Sequence, residues 1–273
     1  MHCDNIGPVE ETARSAARAR AIAFLAAIDD GCAESLPACP GGHAVLDGRH
    51  PALWSANHLR VRTPVAPDPA ALAAAAEEHL GALGFRMIAV LDEAVARALR
   101  APLAQRGYRA ADELLMLAGP APGPAASAQG SGAVVEVAHE DLAASRIAAQ
   151  VELGRDAEVG RQLASRDALI GTVVAIRRFA LVADGEIAAR CQVYAGGGIA
   201  QIENLYVAPA HRGRGLARVV GEHALRAAWA GGAQLVFGIA DAEDWPQGFY
   251  RRAGFAGAGL LPRFLRAGGR TPP

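Results

Sequence analysis

The chain has 273 residues and a formal charge of -1, enough length for two domains that each bury a core. No basic block interrupts the balanced charge, which excludes the footprint of a nucleic-acid or anionic-membrane binder, and no uninterrupted apolar run approaches the roughly 18 residues of a membrane span. The sequence contains no lysine, so Schiff-base catalysis and the Gly-Lys-Ser/Thr phosphate loop are excluded; it also lacks GxSxG and HExxH.

The N-terminus, MHCDNIGPVEE, is acidic and has no apolar core segment, which argues against a secretory signal and for a cytoplasmic protein. Cys3, Cys32, Cys39 and Cys191 show no CxxC spacing and read as free thiols. Cys32, Cys39 and His43 are not spaced as a structural zinc site, and no metal is expected. Trp54 to His58 place polar groups along a strand that could face a cleft. The pattern then predicts a helix over Asp68 to Leu80, a strand over Phe85 to Val90, a helix over Asp92 to Gln105, and a strand from Gly107-Tyr108 to Leu117.

Residues 119–133, GPAPGPAASAQGSGA, have linker composition. They divide the chain into a domain at 1–118, a linker at 119–132 and a second domain at 133–273. The first 130 residues carry 11 Arg against 14 acids and the remainder 16 against 14, so the second part is the candidate for an anionic cofactor. Its predicted order is strand (Ala133 to Ala138), helical stretch (Asp141 to about Ala168), strand (Thr172 to Ala183), an Asp184-Gly185 hairpin turn, and strand (Glu186 to Ala195). A strand from Ile199 to Val207 follows, then a glycine turn, a helix to about Ala230, a strand over Gln234 to Ala240, a helix from about Asp244, and a strand from Phe255. This is a mixed sheet with helices on its faces, an α+β or three-layer arrangement. The helix-strand-helix-strand order ending at Gly107-Tyr108 repeats about 147 residues later at Gly254-Phe255, which reads as a tandem duplication.

After the strand ending at Val207, Arg212-Gly213-Arg214-Gly215-Leu216-Ala217 opens a helix with apolar positions Leu216, Val219, Val220 and Leu225. Unpaired N–H groups and the helix dipole make such a start an anion cradle, and glycine lets a diphosphate approach the backbone. The spacing is a poor match to the GxGxxG dinucleotide turn.

The string IENLYVAPAHRGRGLARVVGEHAL resembles the acetyl-CoA-binding motif of the GNAT superfamily, Arg/Gln-x-x-Gly-x-Gly/Ala, met at Arg212, Gly215 and Ala217. LVFGIADAEDWPQGFYRRAGF is similar to the family's second signature, a strand and a helix ending in Tyr-x-x-x-Gly-Phe. The resemblance covers about residues 133–266, and the first half resembles the degenerate partner of tandem GNAT proteins. It implies two three-layer α/β/α domains, each a twisted, mostly antiparallel mixed sheet flanked by helices.

It also implies roles. Backbone N–H groups from Gly213 to Ala217, Arg214 and Leu216 included, would hold the diphosphate of acetyl-CoA, and Leu205, Tyr206 and Val207 would pair with the pantetheine arm. A strand N–H near Leu205 would polarise the acetyl carbonyl. Glu203 would act as base towards a primary amine, and Tyr250 would return a proton to the departing thiolate. Each has a rival: Glu203 as a solvent-facing charge, Tyr250 as a half-buried aromatic, Asp241 and Asp244 as helix caps, Cys191 as a buried thiol rather than a nucleophile. The expected activity is acetyl transfer to a small-molecule amine; the alternatives are transfer to a protein amino terminus and a non-enzymatic acyl-CoA-binding module.

Overall fold

The structure is a computed structural model that describes residues 8–119, 133–183, 185–242 and 246–268. Residues 120–132 of the linker, Cys3, Asp184 and Asp244 lie outside the described residues. The chain opens on a helix that the sequence reading did not assign, α1 (Pro8–Cys32). Its stripe of Ala17, Ala21, Phe24, Ile28 and Cys32 recurs every three or four residues and packs against the second sheet, where the Phe24 and Phe237 rings meet edge-on at 6.0 Å.

Two short strands, β1 (Ala38–Cys39) and β2 (Gly42–Val45), lead to β3 (His58–Val61), and Trp54 to Asn57 lie in the turns before it rather than in a strand. Then come α2 (Pro69–Leu80), β4 (Phe85–Val90) and α3 (Glu93–Ala104), close to the predicted bounds. The predicted strand after Gly107 is two strands, β5 (Arg109–Ala110) and β6 (Glu113–Ala118), in different sheets.

Past the linker, β7 (Val134–Glu136) precedes α4 (His139–Glu152) and α5 (Ala157–Ile170). The single helical stretch expected there is broken because Gly154 takes a left-handed φ of 71° after α4 and Asp156 caps α5 through Glu158 N. The meander β8 (Ala175–Ala183), β9 (Glu186–Gly196) and β10 (Ile199–Val207) follows. One turn of 3₁₀ helix at Pro209–His211 leads to α6 (Leu216–Ala230), β11 (Leu235–Asp241), α7 (Pro246–Arg252), β12 (Phe255–Leu261) and β13 (Arg263–Ala267).

The strands form a six-stranded sheet, β1-β2-β3-β4-β13-β5, and a seven-stranded sheet, β12-β6-β11-β10-β9-β8-β7. The two halves therefore exchange strands. The first half sends β6 to pair with β11, Met116 opposite Gly238, and the second half returns β13 to pair with β4, Phe264 opposite Ile88. Each guest strand covers what would be the open edge of a buried strand. A division at the linker separates the halves in sequence but cuts both hydrogen-bonded ladders.

On the seven-stranded sheet, residues of β9 alternate. Cys191 and Val193 face α6 with Val220 and Leu225, whereas Tyr194 joins α1 and α5 on the other side. This gives the three-layer arrangement.

Phe264 is 1% exposed within the core of the first sheet, although it lies near the end of the chain. Phe264→Ala should cost about 3–5 kcal/mol in chemical denaturation and raise amide exchange along β4. Exchange that rises only in the second half would contradict the strand assignment.

Candidate active site

The site is organised by an irregularity in β10. Ile199 to Ile202 pair in parallel with Leu235 to Gly238, and that ladder then stops. On the other edge the register with β9 shifts between Glu203 and Tyr206, and Asn204 takes φ 55°. This bulge leaves Glu203 to Val207 splayed away from β11. Leu205, Tyr206 and Val207 thus lie beside a backbone wedge.

Left-handed backbone at a non-glycine residue costs about 1–2 kcal/mol, with asparagine the best tolerated. Polar contacts fix Asn204 there. Its Nδ2 donates to Gln192 Oε1 and to the Tyr194 hydroxyl at 3.1 Å, its backbone oxygen accepts from Arg190 Nη1 at 3.0 Å, and its Oδ1 accepts from Arg146 Nη2 at 3.4 Å. Asp167 anchors the set, accepting from Tyr194 at 2.5 Å and Gln192 at 3.0 Å and pairing with Arg146. Burial lowers the Arg190 pKa to about 10 and raises that of Tyr194 to about 12. Sequence reasoning missed these groups, although Arg146 between Leu142 and Ala149 on the buried face of α4 was a visible signal.

The predicted cradle is open. Arg212 to Gly215 are exposed, Gly213 and Gly215 have φ of 77° and 76°, and no side chain caps α6. Its first amides are thus available to an anion. Arg212 Nε donates to Val207 O at 3.1 Å, and its Nη2 pairs at 2.5 Å with Glu152, which also accepts from the Tyr206 hydroxyl at 2.8 Å. Those contacts, the tyrosine first, hold the Glu152 carboxyl below the usual range.

Glu203 opens onto a cavity of about 340 Å³ between the two halves, lined also by Asp29, Trp54, His58, Glu113 and Arg263. Its Oε2 accepts from Gln201 Nε2 at 2.5 Å. Among the described residues no arginine or histidine pairs with it. Burial, and then the neighbouring Glu113, push its pKa up. Glu113 and Arg263 reach the cavity only because β6 and β13 are exchanged, so no local pattern could have revealed them.

Tyr250 lines a separate narrow crevice with Leu205, Gly221 and Phe249. It is 7% exposed, packed between the Phe249 and Phe255 rings at 5.7 and 5.0 Å. Gly238 makes room for it, since a Cβ there would stand 2.8 Å from its Cε1. Burial, then Glu203 and Cys191, raise its pKa. The two catalytic candidates therefore open onto different spaces. Cys191 is fully buried, its thiol donates to Glu203 O at 3.7 Å, and burial pushes its pKa up to about 12, the properties of a structural thiol. Among the described residues no group of three or more His, Cys, Asp or Glu could hold a metal, and no helix is long and apolar enough to cross a membrane.

In the first half, by contrast, the start of α2 is closed. Asp68 caps α2 by accepting from Ala70 N and Ala71 N, Pro69 removes a donor, and β3 and β4 pair from Leu59 to Val61.

Residues 172–256 match the family model described as acetyltransferase (GNAT) domain. No curated protein matches the chain significantly. Among solved structures, the fold is similar to a GCN5-related N-acetyltransferase from Kribbella flavida, with 18% identity, a TM-score of 0.63 and coverage of 93% of this chain and 96% of that one. It is similar also to a conserved protein of unknown function from Staphylococcus epidermidis, with 12% identity, a TM-score of 0.61 and coverage of 83% and 90%. A tandem GNAT protein from the clavulanic acid biosynthesis pathway aligns at 16% identity with a TM-score of 0.52, over 74% of this chain and 70% of that one. At these identities the likeness speaks to the fold.

Asn204→Gly keeps access to positive φ, whereas Asn204→Val resists it. Both lose the side-chain contacts. The valine variant should therefore be less stable than the glycine variant by about 1–2 kcal/mol in urea unfolding. Equal stabilities would mean that the bulge is not under backbone strain.

Proposed function

We propose that this chain, which carries a GNAT acetyltransferase domain and is an acyltransferase, moves acetyl from acetyl-CoA to the primary amine of a small molecule by direct attack in a ternary complex. The observation that carries this reading is the position of Glu203, at the splay of β10 from β11 and open to the cavity between the halves. The residues present fit the co-substrate. The uncapped start of α6 from Gly213 to Ala217, with Arg212 and Arg214, would take the diphosphate, and the splayed backbone of Leu205 to Val207 would take the pantetheine arm. When bound, acetyl-CoA supplies the activated acyl group as a thioester.

An amine of pKa about 10 is almost wholly protonated at neutrality, and freeing it costs roughly 4 kcal/mol. Glu203 has the position and the raised pKa of a base for that proton, directly or through water. Tyr250, kept protonated by burial, would return a proton to the thiol; its hydroxyl lies against Gly238, where the β10–β11 ladder ends, although its ring lines the separate crevice. A cavity of about 340 Å³ suits a small molecule better than a polypeptide terminus. A purely acyl-CoA-binding role would leave the enclosed Glu203 carboxylate, a costly feature, without use.

Only one acetyl-CoA should bind per chain. Asp68 occupies the amides at the α2 start, its charge would repel a diphosphate, and β3 and β4 lack a splay. Gly215→Asp keeps a residue that tolerates the left-handed backbone but places a carboxylate at the open cradle. Calorimetry should show a stoichiometry near one for the natural chain and lost binding for the variant. Two sites per chain, or unchanged affinity in the variant, would overturn the cradle assignment.

Glu203→Gln should slow turnover increasingly as pH falls from about 10 towards neutrality, because fewer acceptor molecules are already neutral. The same change should stabilise the fold at neutral pH. A carboxyl whose folded pKa is raised holds more protons folded than unfolded, so the wild type loses stability as pH rises from the ordinary 4.5 through the raised value. A pH-independent loss of rate with no gain in stability would point to a positioning role.

A further inference from the structure

The charges around the cavity are unevenly committed. Four guanidinium groups reach it, and each already has a carboxylate. Arg60 meets Asp29 at 2.9 Å and Asp30 at 2.5 Å, Arg166 meets Asp29 at 3.0 Å, Arg146 pairs with Asp167, and Arg263 meets Glu113 at 2.6 Å. His58 is buried beside Arg60 and Arg263, and burial drives its ring towards the neutral form. Glu203 is the contrast, since Gln201 is its side-chain partner and it has no ion pair among the described residues. Much of the remaining wall is apolar: Ile22 and Leu25 of α1, Met87 of β4, Leu163 of α5, Ile239 of β11 and Leu261 of β12.

An acceptor carboxylate or phosphate would enter a space in which every cation is already paired, and would have to break one of those pairs or stay uncompensated. An ammonium group would meet Glu203, and a hydrocarbon or aromatic body would meet the apolar wall. We propose that the cavity selects primary amines with an apolar body and no acidic group, and excludes the amino acids that share that body. The selection is made largely by the first half, which contributes α1, β3, β4 and Glu113 to the wall. This rests on the amine-transfer reading above.

Matched pairs that differ only by an α-carboxylate provide the test: phenethylamine with phenylalanine, tryptamine with tryptophan, and isoamylamine with leucine. Each is assayed with the full chain and acetyl-CoA by release of free thiol. We expect kcat/KM for the amines to exceed that for the amino acids by about 100-fold or more, the scale of a buried, uncompensated charge. Glu113→Gln should narrow the gap by about tenfold, because it frees Arg263 to meet the carboxylate. A merely structural role for Glu113 would lower both members of a pair alike. Equal use of both members, or a gap untouched in Glu113→Gln, would overturn the selection while leaving acetyl transfer to amines intact. Failure of every amine and amino acid, with acetyl-CoA still bound, would overturn the selection and the amine-transfer reading together.

Discussion

The arrangement of the second half depends on the backbone of Asn204. A regular β10 would continue its ladder with β11 past Gly238 and leave no wedge. The left-handed turn at Asn204 ends the pairing, and Glu203 is carried to the point where the strands separate. A local penalty of about 1–3 kcal/mol persists only where the surroundings over-determine it. Here they do so from three elements, since Arg146 and Asp167 come from the helices α4 and α5, and Arg190, Gln192 and Tyr194 from β9. The polar residues on one face of β9 therefore serve the shape of the neighbouring strand, while Cys191 and Val193 on the other face serve the core.

The strand exchange has a comparable consequence at larger scale. With β6 in the second sheet and β13 in the first, neither half owns all of the strands that complete its sheet. The ion pair of Arg263 with Glu113 joins the residue before β13's core contact to the first residue of β6, so one salt bridge links the two exchanged strands beside the cavity. Helix α1 adds a third crossing, with Phe24 packed on Phe237 and Asp29 accepting from Arg60 of β3 and Arg166 of α5. A cavity whose walls come from both halves can keep a fixed shape because these connections fix the halves to each other.

Much of this was legible in the sequence, and the gaps have physical causes. Period and caps located α2, β4, α3, α6 and β8 to β11, because their apolar spacing and their Asp or Gly boundaries are local signals. The glycine turn was legible as a candidate anion cradle from its own residues, whereas Tyr250 was singled out only by the resemblance to the GNAT signature; the structure places the turn exposed and Tyr250 buried. Helix α1 went unassigned although its stripe from Ala17 to Cys32 has helical spacing, since alanine gives that stripe little contrast. The break between α4 and α5 was missed although Gly154 and Asp156 mark it. The exchange of β6 and β13 was out of reach, because the partner of a strand is decided by ladders more than a hundred residues apart in sequence. For the same reason Glu113, Asp29 and Arg263 could not be connected with Glu203 before the fold was known, and Trp54 and His58, read as a strand, reach the cavity from a turn and from the first residue of β3.

The two helix starts, at Asp68 and Gly215, show how little sequence separates an uncapped helix start from a capped one. Both follow a strand, and both present the free amides of a first helical turn. At α2 the carboxylate of Asp68 takes two of those amides, and Pro69 removes another donor. At α6 two glycines hold the loop open in a conformation that leaves the amides uncapped. An uncapped helix start forgoes about 1 kcal/mol of capping, and a Glu203 set on the cavity wall without an ion pair among the described residues and a left-handed Asn204 add to that cost. These three unfavourable features lie on adjoining elements of the second half, and the first half shows the capped, straight-laddered alternative. Stability alone would favour that alternative in both halves. The second half combines an uncapped helix start, a splayed strand and an acid on the cavity wall, and under the proposed reading a ligand with an anionic part and a reacting group would use all three at once.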